Sequence, residues 1–261
     1  MKFKTSCIGL VFLFSSSVFA DGHGSKAVAG MDLSKSNSLQ MQLCSLKPGK
    51  TMKAYEASFD AYVDWSKSQG VEAFALRLAP IYVRQPNNQP GFEWIDFLAA
   101  PFEVNGEGWD KWLTTKEGQA LSKKGQAIAD CRVSLNPLRT LYADKAITAE
   151  DTRVVTMDWC TRLPGVSYDQ LQAKHSSMLE NRAEDSPVRA WSIVYTGLGM
   201  RNAPGEYMHL LSFSDHAGLS AYMNNYANND GWRQREDYQK SYASCTGQNA
   251  YFATVINRPG F

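Results

Sequence analysis

The sequence predicts an α+β protein assembled from two copies of one βαββαβ unit. Three observations predict it. The hexapeptide Cys44-Ser45-Leu46-Lys47-Pro48-Gly49 returns as Cys160-Thr161-Arg162-Leu163-Pro164-Gly165. Each copy then reaches a second cysteine after a similar interval, 87 residues from Cys44 to Cys131 and 85 from Cys160 to Cys245. Apolar residues switch between the two-residue period of strands and the 3.6-residue period of helices in the same order in both copies.

In the first copy, residues 39–44 alternate as a strand. Thr51 caps a helix that runs to Gln69, with Met52, Tyr55, Phe59, Tyr62 and Val63 on one face and Gly70 at its end. Residues 72–83 and 92–100 read as strands on either side of the turn-rich stretch 85–90. A second helix carries Trp109, Trp112, Leu113, Ala120, Leu121 and Ile128, and a last strand lies near 138–143. The second copy opens with a strand at 154–160 and a helix from Ser167 with Tyr168, Leu171, His175, Met178 and Leu179 on one face. Strands follow at 188–196 and 207–213, then a helix over 216–244 interrupted at Asp230-Gly231, then a strand at 251–256. This order is the split βαβ, or ferredoxin-like, plait. The unit boundaries fall at 39–143 and 153–261, joined by a linker at 144–152. Residues 21–38, rich in Gly, Ser, Lys and Asn, read as a flexible arm.

The chain has 261 residues, 44% of them hydrophobic and 20% charged, which supports a sizeable core and excludes wholesale disorder. Lys plus Arg is 27 against 26 for Asp plus Glu, so no broad basic field exists to recruit nucleic acid. Residues 1–20 read as a secretory signal: Lys2 and Lys4, an apolar stretch from Cys7 to Phe14, and Val18-Phe19-Ala20 as a cleavage site. Losing the two lysines moves the net charge from +1 to about −1. The expected location is the periplasm or the medium, without stable membrane insertion, since no later apolar run approaches a membrane span. Cys7 leaves with the signal. The remaining four cysteines, without any CxxC spacing, imply disulfides, for which three connectivities exist. In the plait the first and last strands are adjacent and antiparallel. That pairs Cys44 with Cys131 and Cys160 with Cys245.

Two plaits in tandem, each with an aromatic-rich second helix, resemble the dimeric α+β-barrel superfamily, which includes NIPSNAP-like, EthD-like and antibiotic-biosynthesis-monooxygenase-like proteins. The likeness is carried by residues 94–100 followed by Gly108-Trp109-Asp110-Lys111-Trp112. It implies two sheets facing each other in a barrel, here within a monomer of pseudo-two-fold symmetry. It also implies pockets inside the barrel or between sheet and helices. Members include cofactor-free oxygenases, isomerases and haem proteins, so fold does not decide activity.

Several residues are candidates for chemistry. His175 stands where the first copy has Phe59, and is a general base, a haem ligand, a pocket donor or a satisfied core histidine. Asp96 and His209 match on the third strands, each two residues after an aromatic, Trp94 and Tyr207. Across a pseudo-two-fold barrel they would form an acid–imidazole pair, or a polar contact between sheets. Gln42 and Asp158 also match, and Arg77 and Arg139 are placed to bind a carboxylate or pair with an acid. Trp94, Tyr207 and Arg77 are the expected ligand contacts. Cleavage after Ala20 would expose Asp21-Gly22-His23, an amino-terminal Cu(II) or Ni(II) motif. No GxSxG, P-loop or HExxH motif is present. The aromatic load without a catalytic signature favours an exported binder of a small apolar or aromatic ligand, with no cofactor expected. A cofactor-independent monooxygenase or isomerase, and a haem or copper protein, are the alternatives.

Overall fold

The structure, a computed structural model, describes residues 31–83 and 91–259. The signal segment 1–20, Asp21-Gly22-His23 and the turn-rich stretch 85–90 lie outside the described residues. The elements are β1 (Asn37–Leu46), α1 (Met52–Gln69), β2 (Phe74–Tyr82), β3 (Trp94–Ala100), α2 (Phe102–Thr114), α3 (Lys116–Gln126), β4 (Ala129–Ala143) and α4 (Lys145–Ala149). They continue with β5 (Thr152–Arg162), α5 (Tyr168–Glu180), β6 (Ala190–Tyr195), β7 (Tyr207–Phe213), α6 (His216–Asn228), α7 (Gly231–Ser241) and β8 (Ala243–Asn257). The strands close into one barrel in the order β1-β3-β2-β8-β5-β7-β6-β4, and every neighbouring pair is antiparallel. Within each half the order is the same, β4-β1-β3-β2 in one and β8-β5-β7-β6 in the other. The β2–β8 and β4–β6 ladders join the halves.

The two-residue period of a strand sends alternate side chains to opposite faces. One set fills the barrel: Leu39, Met41, Leu78, Ile95, Phe97, Val155, Met157 and Met208 belong to a single apolar cluster. Met31 is buried in that cluster, so residues 31–38 are not the free arm that their composition suggests. The other set lies under the helices. Cys44, Trp94 and Leu98 pack against Tyr55, Phe59 and Val63 of α1, while Cys160, Ile193 and Tyr207 pack against Leu171 of α5 and Tyr238 of α7.

The repeated motifs have matching physical roles. Gly49 and Gly165 take φ values of 75° and 87°, a left-handed conformation that favours glycine and turns the chain from strand to helix. Thr51 Oγ1 accepts from the Ala54 N–H to cap α1. Ser167 and Gln170 form a reciprocal capping box on α5. The second helix of each unit is split in both copies. In the first, Thr115 ends α2 and caps α3. In the second, Asp230 at φ 63° separates α6 from α7. The last strands begin well before the apolar stretches at 138–143 and 251–256 that mark them in the sequence. Polar segments 130–136 and 244–249 carry β4 and β8 alongside β1 and β5, satisfied by ladder hydrogen bonds rather than by apolar burial.

That early start puts Cys131 and Cys245 inside strands, directly opposite Cys44 and Cys160. Disulfides join Cys44 to Cys131 and Cys160 to Cys245, with Cα–Cα distances of 4.1 and 4.0 Å. Each ties the first strand of its half to the last. Changing Cys160 and Cys245 together to serine should therefore lower the unfolding free energy by about 2–5 kcal/mol, measured by urea denaturation under non-reducing conditions. A loss well under about 1 kcal/mol would show that the ladder holds without the bridge.

Candidate functional site

The outward-facing positions of the two halves hold different chemistry. In the first half, Asp96 on β3 is fully buried and sits opposite Arg77 of β2 and Gln42 of β1. Its Oδ1 accepts from Arg77 Nε at 2.8 Å, and its Oδ2 from Tyr55 Oη at 2.7 Å and Trp94 Nε1 at 3.1 Å. The Arg77 guanidinium lies over the rings of Tyr55 and Phe59 at 4.9 and 5.1 Å. Burial, with the Asp96 carboxylate alongside, raises the Tyr55 phenol and keeps it protonated as a donor. The group is a closed ion pair with its acceptors occupied, suited to holding α1 onto the sheet.

In the second half, His209 occupies the position of Asp96, and Ile193 takes the place of Arg77. Tyr238 of α7 reaches down to form a hub. Its hydroxyl lies 2.8 Å from His175 Nε2, 3.1 Å from His209 Nε2 and 2.6 Å from Tyr207 Oη. Trp191 Nε1 donates to His209 Nδ1 at 3.0 Å. An indole N–H can only donate, so His209 Nδ1 is unprotonated. The ring proton sits on Nε2 and points to the Tyr238 oxygen. Burial lowers His175 to about 4 and His209 to about 3, the latter aided by the neighbouring His175 and Arg235. Burial likewise pushes Tyr207 up to about 12 and raises Tyr238 further. The cluster is a network of neutral donors and acceptors near pH 7. Beside it Asp158 accepts from Arg235 Nη2 at 2.9 Å and from the Gly247 N–H at 2.9 Å, and burial raises its carboxyl despite these partners.

Above this network, between the sheet and α5, α6 and α7, lies a cavity of 850 Å³ whose lining includes Trp191, His209, Tyr238, Asp158, Arg235 and Tyr222. A smaller cavity of 330 Å³ occupies the matching space in the first half, lined by Tyr62, Trp65, Trp109 and Trp112 among others. Of the candidates named from sequence, His209 and Asp158 line the larger cavity and Gln42 the smaller. His175, Tyr207, Asp96, Trp94 and Arg77 are buried beneath them. Asp96 and His209 do not meet. Each points away from the barrel interior and under the helices of its own half. His175 is 2% exposed and holds Tyr238 in place rather than facing a ligand. The residues that sequence reasoning missed are Tyr238 and Arg235. Only their spacing within one helix turn hints that both face the sheet.

A haem iron needs an axial donor with a free lone pair. Among the described residues, His209 is the one histidine lining a cavity, and both its nitrogens are engaged by Trp191 and Tyr238. With His175 sealed beneath, neither histidine of this network offers a haem a free donor. Asp158 also lies near Cys160 and Cys245, but those sulfurs form the disulfide and are not thiolate ligands.

Two outcomes follow. Asp96→Asn would leave Arg77 buried without its countercharge and should cost about 3 kcal/mol in urea unfolding. A near-neutral effect would show that Glu56, 3.9 Å from the guanidinium, takes over. The second concerns pH. The two imidazoles are neutral in the fold and protonate near 6.5 when unfolded. The unfolded chain thus binds more protons below pH 6.5, and stability falls as pH drops from 6.5 towards 4. His175→Phe should flatten that slope in stability measured at successive pH values. An unchanged slope would show that His175 does not contribute to it.

No protein-family model matches the sequence, and no curated protein matches it. Solved structures are similar in fold. A candidate monooxygenase from Fusobacterium nucleatum subsp. nucleatum superposes with a TM-score of 0.53 at 12% identity, over 87% of this chain and 97% of that one. A second candidate monooxygenase, from Lactobacillus acidophilus, gives 0.51 at 7% identity over 85% and 95%. An anthrone oxidase-like protein gives 0.50 at 13% identity over 88% and 94%. At such identities the likeness is one of fold: an α+β protein whose eight antiparallel strands form a closed barrel.

Proposed function

We propose that this chain is an exported binding protein of the dimeric α+β-barrel type, and that its second half takes a small aromatic molecule bearing polar groups. The observation that carries this reading is the 850 Å³ cavity floored by Trp191, His209 and Tyr238. Its size lies within the range of ligand sites, and it combines an aromatic surface with polar atoms fixed in direction. Of the cations around it, Lys174, Arg233 and Arg235 are paired with Asp237, Asp230 and Asp158, and Arg182 has no carboxylate partner among the described residues, which favours a ligand with an accepting edge near Arg182. His209, with both nitrogens engaged, supplies a fixed aromatic face to the floor and not a free donor. It is a poor proton acceptor near pH 7, because burial lowers it to about 3. The oxygenase or isomerase reading is therefore less well supported than binding.

The same proposal takes residues 39–143 and 153–261 as two ferredoxin-like plaits joined by the linker 144–152, in which α4 lies. The matching strand order of the halves supports this. Because one chain supplies all eight strands, the barrel closes without a second copy, which favours a monomer. Two disulfides support export. Among the described residues no helix is long and apolar enough to cross a membrane.

Calorimetric titration with 1-hydroxy-2-naphthoate tests the binding. One saturable site is expected. Ala221→Trp, an exposed α6 position lining the cavity, should weaken it by about tenfold or more by filling the space. Binding that survives Ala221→Trp unchanged, or no binding at all, overturns the proposal. Conversion of the compound, followed by mass spectrometry, would favour the enzymatic reading instead.

A further inference from the structure

Four cations line the second-half cavity, and three of them already have a counterion. Lys174 Nζ is 2.9 Å from Asp237, Arg235 Nη2 is 2.9 Å from Asp158 and Arg233 Nε is 2.8 Å from Asp230. Arg182 is the fourth, and no carboxylate pairs with it among the described residues. Its place is fixed all the same. It follows the end of α5, where its backbone N–H donates to Leu179 O at 3.2 Å. The guanidinium lies 4.0 Å from the centre of the Tyr142 ring, and Nη1 donates to Ala183 O at 2.9 Å. Nε is buried without a partner, whereas Nη2 keeps accessible surface and has no acceptor in the protein.

The ring beneath this guanidinium also places it relative to the cavity floor. Tyr142 of β4 stands directly opposite Trp191 of β6. Opposed residues of an antiparallel pair point to the same face of the sheet, with Cβ atoms roughly 5 Å apart. The unpaired cation therefore lies one strand away from the indole that floors the cavity.

We infer that the ligand of this cavity is a planar aromatic monocarboxylate, with its carboxylate on Arg182 Nη2 and its ring system against Trp191. The inference rests on the reading of the cavity as the ligand site and adds the charge and direction of what it holds. Charge follows from the cations: one lacks a counterion, so one negative charge completes the set, and a dianion would bring a second charge with no free cation to meet it. Planarity follows from the guanidinium, whose N–H groups lie in its own plane and direct an acceptor there. Because a ring and a carbonyl already hold that guanidinium, little side-chain freedom is lost on pairing.

The probes are 2-naphthoate, 2-naphthamide, which keeps the shape without the charge, and 2-naphthyl phosphate, which carries more than one charge. Each is titrated calorimetrically into the full chain at neutral pH. 2-Naphthoate should bind about tenfold or more tightly than the amide, the increment of a hydrogen bond to a charged group, and more tightly than the phosphate. Arg182→Met keeps an unbranched side chain next to Tyr142. It should lower 2-naphthoate to the affinity of the amide and leave the amide unchanged. Added salt should weaken 2-naphthoate and not the amide on the unaltered protein, a readout that needs no variant to fold. The inference alone is overturned if carboxylate and amide bind equally, if the phosphate binds more tightly, if salt leaves 2-naphthoate unaffected, or if Arg182→Met keeps the preference. Failure of all three probes to bind overturns the cavity as a ligand site, and the inference with it.

Discussion

A closed barrel of eight strands has one interior, and in this protein apolar side chains fill it. Leu39, Met41, Phe97, Val155, Met157 and Met208 pack there from both halves, with Met31 added from the segment before β1. Strand alternation then determines the rest. The titratable groups around the two sites take the other parity and emerge on the outer face under the helices, whereas the uncharged Ser134 and Asn136, opposite Met41 and Leu39, face inward and hydrogen-bond to each other. Asp96, Arg77, His209 and Asp158 all follow this rule. Both cavities lie between sheet and helices.

The two halves solve the same burial problem with opposite chemistry. At matching positions the first half has Phe59, Trp94 and Asp96, and the second has His175, Tyr207 and His209. A carboxylate under a helix needs a cation, and Arg77 on the adjacent strand supplies it along with two neutral donors. An imidazole under a helix can instead stay neutral, provided that its nitrogens are satisfied. Tyr238 and Trp191 do this without any formal charge. The first arrangement keeps its carboxylate and guanidinium buried, and no charged side chain lines the cavity of that half. The second leaves His209 and Tyr238 at the edge of an open volume, with Asp158 and Arg235 beside them. Divergence between the halves is therefore a change in how buried polarity is neutralised, and charged side chains line the cavity of the second half alone.

Much of the architecture was legible in the residues. The repeated Cys-x-x-x-Pro-Gly segment marks the same strand-to-helix turn twice, since Gly49 and Gly165 both need a left-handed backbone. The helix starts at Thr51 and Ser167 are set by local capping, which depends only on neighbouring atoms. The starts of β4 and β8 were not legible. Segments 130–136 and 244–249 are polar and take strand form because β1 and β5 offer them ladder partners, a nonlocal cause that periodicity does not record. The burial of Met31 has the same origin.

By itself, then, the sequence determined the order of elements, the pairing of four cysteines and the identity of the unusual polar residues at core positions. These depend on period, capping and chain connectivity, all written along the chain. Only the tertiary structure decided what those polar residues touch. His175 and His209 lie 34 positions apart and Tyr238 a further 29 on, yet one hydroxyl joins them because α7 crosses the same patch of sheet as α5. Asp96 and His209 look like a pair in the sequence and lie under the helices of different halves, since closure of the barrel turns the outer faces of its two halves away from each other.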